Sequence, residues 1–420
     1  MAKLMIKNFG PIKEGLDSNN GILDFGKYTL FIGDQGTGKS TVSKVISLCS
    51  WLEKAFFRGD FSAADFDAID FEALCRNQLL DSSFNESTEL EYAGEAYHFW
   101  YKKSVFFAEE MKATVNRYIR PKIMYIPSER NILSIVKNVE ELDNIPPMLR
   151  LLRRRYLQAS ASLDGNCMFD LPLPGYKAVV NKSNGETFVK EEESGKSIPL
   201  VCASSGLQSI VPSSLVTEYL AKQSKQTVLE KLRSLNDKVF YHLKESLNND
   251  TTKTELERYI TSGISKSISA SSLAEIESVA RKFTNAYFMN IIEEPEQNLF
   301  PDSQMKNLAF FLACANTNTE NKIVITTHSP YILSYITLAA KAYELLKRKV
   351  PTERVEKIVP TESAVDGSKI FIYEMQKNGS IKKLESYENL PSDENLLNKA
   401  MAAGNEYFSA LIDLEQEFCA

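Results

Sequence analysis

Gly33-Asp34-Gln35-Gly36-Thr37-Gly38-Lys39-Ser40-Thr41 is the stretch on which the fold turns. Before it, Lys27-Tyr28-Thr29-Leu30-Phe31-Ile32 is short, apolar and β-prone, and after it Val42 to Leu52 carries apolar residues at helical spacing. The order is strand, glycine loop, helix. Gly33, Gly36 and Gly38 free the loop backbone, so its N–H groups can curl around phosphate oxygens at the positive end of a helix dipole. All nine positions would then line a nucleotide's phosphates, with Lys39 reaching the β- and γ-phosphates and the Ser40 hydroxyl ligating Mg²⁺.

Three other strands read outward from this loop. Lys122 to Ile126 (KIMYI) stops at Pro127 and is followed by Ser128-Glu129-Arg130. A charged pair there falls where open α/β sheets bind ligands, and Glu129 and Arg130 are read either as site residues or as a helix-start ion pair. Tyr287 to Ile292 runs straight into Glu293-Glu294-Pro295-Glu296. Adjacent carboxylates at the end of a buried strand are costly unless they hold a cation or sit at a wet site. Lys322 to Thr327 ends in His328-Ser329-Pro330, and of the three His in the chain only His328 is placed for chemistry. His98, among Phe99, Trp100 and Tyr101, reads as a packed side chain. Together these strand ends make a phosphoryl-transfer set. Ser40 and Glu293 supply the hydroxyl and acid that Mg²⁺ needs, Glu294 is the base that holds an attacking water, and His328 senses the γ-phosphate.

The chain has 420 residues, 43% hydrophobic and 25% charged, with a net charge of −6. That balance gives no global push toward nucleic acid or an anionic membrane. Six scattered Cys without a C-x-x-C pair fit a reducing compartment with neither zinc nor a disulfide frame. No stretch approaches about 18 apolar residues, so the expected location is cytoplasmic. The expected fold class is α/β: one head of mixed sheet flanked by helices, from residues 1–50, 120–215 and 284–420. Helical insertions are expected at 51–119, an acidic and aromatic stretch, and at 216–283, where two long segments could pair as a hairpin. Phe9, Pro11 and Ile12 could flank an adenine ring, or Phe9 could be core. Asn184-Gly185 signals a hairpin turn. Arg150, Arg153, Arg154 and Arg155 read as a solvated helix face. A second hairpin spans 370–384, and an amphipathic helix covers Asn395 to Glu417.

The order of these motifs resembles the ABC-type ATPase superfamily, and more narrowly its RecF, Rad50/SMC and OLD (overcoming-lysogenisation-defect) branch. The resemblance rests on NFGPI (8–12), GDQGTGKST (33–41), SSGLQS (204–209), IIEEPEQNLFP (291–301) and ITTHSP (325–330). It implies a P-loop ABC-ATPase head that uses ATP and Mg²⁺. It also implies that Ser204, Ser205 and Gly206 form the signature that meets the γ-phosphate bound to a second subunit, with Asn298 and Leu299 as the D-loop at the seam. The chain departs from the family in having Glu293 where Asp is usual, Leu207 where the second signature Gly stands, and Ser128-Glu129-Arg130 in place of a Q-loop Gln. OLD nucleases carry a TOPRIM module after the His motif, and no acidic metal triad follows His328 here. The chain thus resembles the stand-alone ATPase component of two-component antiphage systems such as PARIS and Septu. That likeness implies a homo-oligomer of at least an ATP-sandwiched dimer, a separate effector, a nuclease in such systems, and a phage protein as trigger. A RecF- or Rad50-like DNA-repair clamp, with the arginines at 150–155 on DNA, is the alternative, and a scaffold that binds ATP without turnover is a third.

Overall fold

A seven-stranded sheet carries every strand end named above. In a computed structural model that describes residues 1–136, 145–163, 167–263 and 268–418, its order is β2 (Gly15–Leu16), β16 (Ser380–Lys383), β15 (Ile370–Met375), β4 (Tyr28–Gly33), β14 (Lys322–Thr327), β13 (Tyr287–Glu293) and β8 (Pro121–Ile126). The five strands from β15 to β8 run parallel and β16 runs antiparallel to β15, so the sheet is mixed. Every residue of β4 and of β13 is buried. Near-continuous apolar runs, here interrupted by Thr29, Asn290 and Glu293, are what a parallel strand needs when both its faces are covered. Helix α1 (Lys39–Arg58) packs on β4, β8, β13 and β14, while α4 (Pro147–Ala161), α5 (Ser205–Lys225) and α10 (Pro301–Asn316) supply cover against β8, β13 and β14. The result is a P-loop α/β fold.

The stretch 51–119 is not the helical insertion that its composition suggests. After α1 and the short α2 (Ala68–Asn77), it forms β5 (Glu89–Ala93), β6 (Tyr97–Lys102) and β7 (Val105–Glu110). These extend β3 (Ile22–Phe25) and β1 (Ala2–Lys7) into a five-stranded antiparallel sheet of order β3–β1–β5–β6–β7. The aromatic residues alternate rather than cycle. Leu90, Tyr92, Phe99, Tyr101 and Phe106 turn inward onto Phe56, Phe66 and Phe71 as a stacked and edge-on cluster. His98 is packed as expected, stacked on Trp100 with ring centroids 4.0 Å apart.

The Asn184-Gly185 turn joins β10 (Tyr176–Val180) to β11 (Thr187–Glu191), in a small sheet with β9 (Met168–Asp170) and β12 (Ser197–Pro199). Among the described residues of 228–280 there are four short helices rather than a two-helix hairpin: α6 (Val228–Arg233), α7 (Asp237–Glu245), α8 (Asp250–Ser262) and α9 (Ala270–Ala280). They enclose their own apolar cluster of Leu232, Leu243, Leu247, Leu256 and Ile276. Helix α11 (Pro330–Lys347) follows β14, and α13 (Leu396–Phe418) comes after the β15–β16 hairpin and α12 (Thr352–Glu356). Among the described residues no helix is long and apolar enough to cross a membrane, and Cys49, Cys75, Cys202 and Cys314 are free thiols.

Candidate functional site

Parallel register delivers the site. Ile32 lies beside Thr327, Glu293 beside Thr326 and Ile292 beside Ile126, so the loops leaving β4, β14, β13 and β8 emerge on one edge of the sheet. Gly33 leaves β4 with φ of 145°, and a Cβ there would stand 2.6 Å from the Met375 carbonyl oxygen. Gly38 sits at φ 97° with Ile12 filling the space of its missing side chain. Because Gly38 is the residue that opens α1, no side chain caps that helix. The first-turn N–H groups have no intrahelical acceptor and are free for an anion. Gly36, also left-handed, has open space where a side chain would stand.

Lys39 is buried, and its Nζ donates to the carbonyls of Gly33 (2.9 Å) and Asp34 (2.7 Å). Burial pulls its pKa down to about 8. The same Nζ lies 3.4 Å from His328 Nδ1, and His328 Nε2 lies 3.3 Å from Glu294 Oε1. The His328 contact, more than the partial burial that opposes it, holds the Glu294 carboxyl below its ordinary range. Glu294 also has a positive φ of 43°, a conformation that costs a non-glycine residue about 1 kcal/mol or more. Asp34 and Gln35 are exposed at the loop's rim, where Asp34 pairs with Lys377 of the β15–β16 turn at 2.7 Å. Thr37 is buried and bonds back to the Asp34 carbonyl (2.8 Å), while Ser40 is exposed and Thr41 half-buried on the first turn of α1.

Beneath this surface lies a floor that the sequence did not announce. Glu293 is buried and accepts from Tyr125 Oη (2.6 Å) and the Ser128 N–H (3.2 Å). Arg130 is 1% exposed and among the described residues its guanidinium bonds only carbonyl oxygens: Glu293 (2.6 Å), Glu294 (2.8 Å), Pro127 (3.2 Å) and Ser209 of α5 (3.3 Å). Among the described residues Arg130 thus bonds backbone carbonyls rather than forming an ion pair with the exposed Glu129. Glu296, whose carboxyl burial pushes upward, accepts from Thr327 Oγ1 (2.7 Å) and from the His328 N–H (2.8 Å). Arg130 and Glu296 therefore fix the backbone from which Glu293, Glu294 and His328 project, and Tyr125 holds the Glu293 carboxylate. The sequence signal for Arg130 was its place after a central strand, and for Glu296 its place one residue past Pro295.

Ser204, Ser205 and Gly206 stand apart from this cluster. Ser204 and Ser205 are exposed, and Ser204 Oγ accepts from the Leu207 N–H at the start of α5. Gly206 is buried against Asn298, whose carbonyl oxygen lies 2.7 Å from where a Cβ would be. Among the described residues no hydrogen bond or ion pair joins these three to the glycine loop. Phe9 is fully buried edge-on to Phe84, so it is core rather than a platform for a base. On α4, Arg154 is exposed, and burial lowers the pKa of Arg155.

A family model described as an AAA ATPase domain matches residues 224–333, a stretch that holds Glu293, Glu294 and His328 but not the glycine loop. No curated protein matches the chain. Among solved structures, an SmcHead bound to the C-winged helix domain of ScpA is 11% identical, with 92% of this chain and 97% of that one covered and a TM-score of 0.38. The SMC head domain from Thermotoga maritima is 10% identical over 92% and 98%, with a TM-score of 0.35. The ATP-binding cassette MJ0796, in a post-hydrolysis dimer with ADP and Pi, is 11% identical over 92% and 100%, with a TM-score of 0.29.

Proposed function

We propose that this chain binds and hydrolyses ATP as an ABC-type, OLD-like ATPase. One observation carries the reading: Lys39, His328 and Glu294, from three separate strand ends, form a continuous chain of contacts no longer than 3.4 Å at the mouth of an uncapped helix. The residues fit a nucleotide with Mg²⁺. Loop N–H groups and Lys39 cradle phosphate, the exposed Ser40 hydroxyl is free to ligate the ion, and the Glu293 carboxylate stands buried at the end of β13, two strands from β4. Mg²⁺ with its own waters needs only one or two such protein ligands. When bound, the ion offsets charge on the β- and γ-phosphates. Lys39 then exchanges its loop carbonyls for phosphate oxygens. Glu294 orients a water for in-line attack, and His328, on contact with the γ-phosphate, holds Glu294 in place.

Ser204, Ser205 and Gly206 have no role within one chain's crevice, which supports their use on a nucleotide held by a second copy. In this reading an ATP-sandwiched dimer is the working unit. The finer role is a sensor or switch that controls a separate effector, a nuclease in antiphage defence, and rests on the motif resemblance. Glu294→Gln tests the chemistry. It should retain ATP while slowing turnover at least about 100-fold, because removing a positioned base typically costs that much. A variant that turns over at the wild-type rate would remove Glu294 from its role.

A further inference from the structure

Helix α13 starts firmly and then leaves the body of the protein. Its Leu396 N–H donates to Glu374 Oε1 (2.7 Å), Asn395 Oδ1 accepts from Leu397 and Asn398, and Leu397 is buried. From Lys399 to Phe418 every residue but Ala403 and Ile412 is exposed. Met401, Tyr407, Phe408, Leu411, Leu414 and Phe418 are each between 51% and 74% exposed. In proteins most of a helix's stability comes from packing its apolar face, so these exposed side chains call for a partner surface.

The spacing states what kind of partner. Leu397, Ala400, Gly404, Tyr407, Leu411, Leu414 and Phe418 fall on alternating steps of three and four, an unbroken two-position heptad seam. The seam is small at its start (Ala400, Gly404) and large at its end (Leu411, Leu414, Phe418). A parallel pair would set Gly404 against Gly404 and Phe418 against Phe418, leaving a void at one end and crowding the other. An antiparallel pair instead faces Ala400 with Phe418 and Gly404 with Leu414, small against large, with Tyr407 on Leu411 at the centre. Charge agrees. Residues 396–405 carry Lys399 and no acid, whereas 406–418 carry Glu406, Asp413, Glu415 and Glu417 and no base. Antiparallel pairing moves those acids from the negative end of their own helix to the positive start of the partner's, and parallel pairing would stack them on each other.

We infer that α13 pairs with α13 of a second copy as an antiparallel two-helix contact that does not require nucleotide. In a background with Cys202 and Cys419 replaced by Ser, Gly404→Cys/Leu414→Cys should cross-link into a dimer under mild oxidation. Gly404→Cys alone should not, because the two Gly404 positions would stand about 15 Å apart along the pair. Without nucleotide, the wild-type chain should sediment at twice the monomer mass. Leu411→Asp/Leu414→Asp should sediment as a monomer and keep its melting temperature and its nucleotide binding. Efficient cross-linking by Gly404→Cys alone, a monomeric wild type, or a double-Asp variant that stays dimeric would each overturn the inference. None of these outcomes depends on ATP hydrolysis.

Discussion

Lys39 and Glu53 lie on the same helix, both buried, and burial displaces both from their ordinary proton equilibria. Their surroundings differ in kind. Lys39 is held by two loop carbonyls beside uncapped N–H groups, with His328 at 3.4 Å and exposed Ser40 next in sequence. Glu53 is sealed. Its carboxyl accepts from Tyr92 Oη (2.7 Å) and the Ala96 N–H (2.7 Å), and Gly94 packs so closely that a Cβ there would stand 2.1 Å from Glu53 Oε1. A displaced pKa therefore does not mark the working end of this helix. What marks it is a set of polar partners able to exchange for a ligand.

The sharpest break of that contrast is Lys39→Ala. It should lower ATP affinity about 100-fold, since charge-assisted bonds to phosphate are worth roughly 3 kcal/mol together, while the melting temperature stays close to wild type; calorimetric titration reads the loss. Arg130→Met comes next and probes the floor beneath the exchangeable groups. It leaves buried carbonyls unpaired and should destabilise the fold by about 3 kcal/mol in denaturant melts, with Arg130→Lys recovering part of the loss. Ser205→Arg should leave ATP affinity of the single chain unchanged and lower turnover about tenfold, and an unchanged rate would remove this segment from the composite site. Glu53→Gln is the mildest and should not alter turnover.

Glu53 also sets a pH signature. Its folded pKa is raised above the ordinary 4.5, so between those values the native state holds a proton that the unfolded chain has released. Its contribution to stability is complete below about pH 4.5 and is lost as pH rises toward the folded pKa. The melting temperature of Glu53→Gln relative to wild type should accordingly climb as pH rises from 4.5. A flat difference would show that Glu53 is ionised in the native state.

How much of this could be read from residues alone follows the same divide. Glycine turns and strand ends are local, and so Gly33 to Thr41, Glu293, Glu294 and His328 were placed by their immediate neighbours. The floor is nonlocal. Nothing around Arg130 says that its guanidinium reaches Glu293, Glu294 and Ser209, because those contacts exist only once β8, β13 and α5 are adjacent. Residues 89–110 were misread for another reason. Dense aromatics such as Tyr97-His98-Phe99-Trp100-Tyr101 blur the period of two, and only pairing with β5 and β7 reveals which of them face inward.

Because the Arg130 guanidinium touches carbonyl oxygen and almost no water, mobile ions cannot reach it, whereas the exposed Lys377–Asp34 pair at the rim is fully open to them. Raising ionic strength should therefore loosen the lip of the crevice and leave its foundation intact, so that substrate capture weakens before the alignment of Glu294 does.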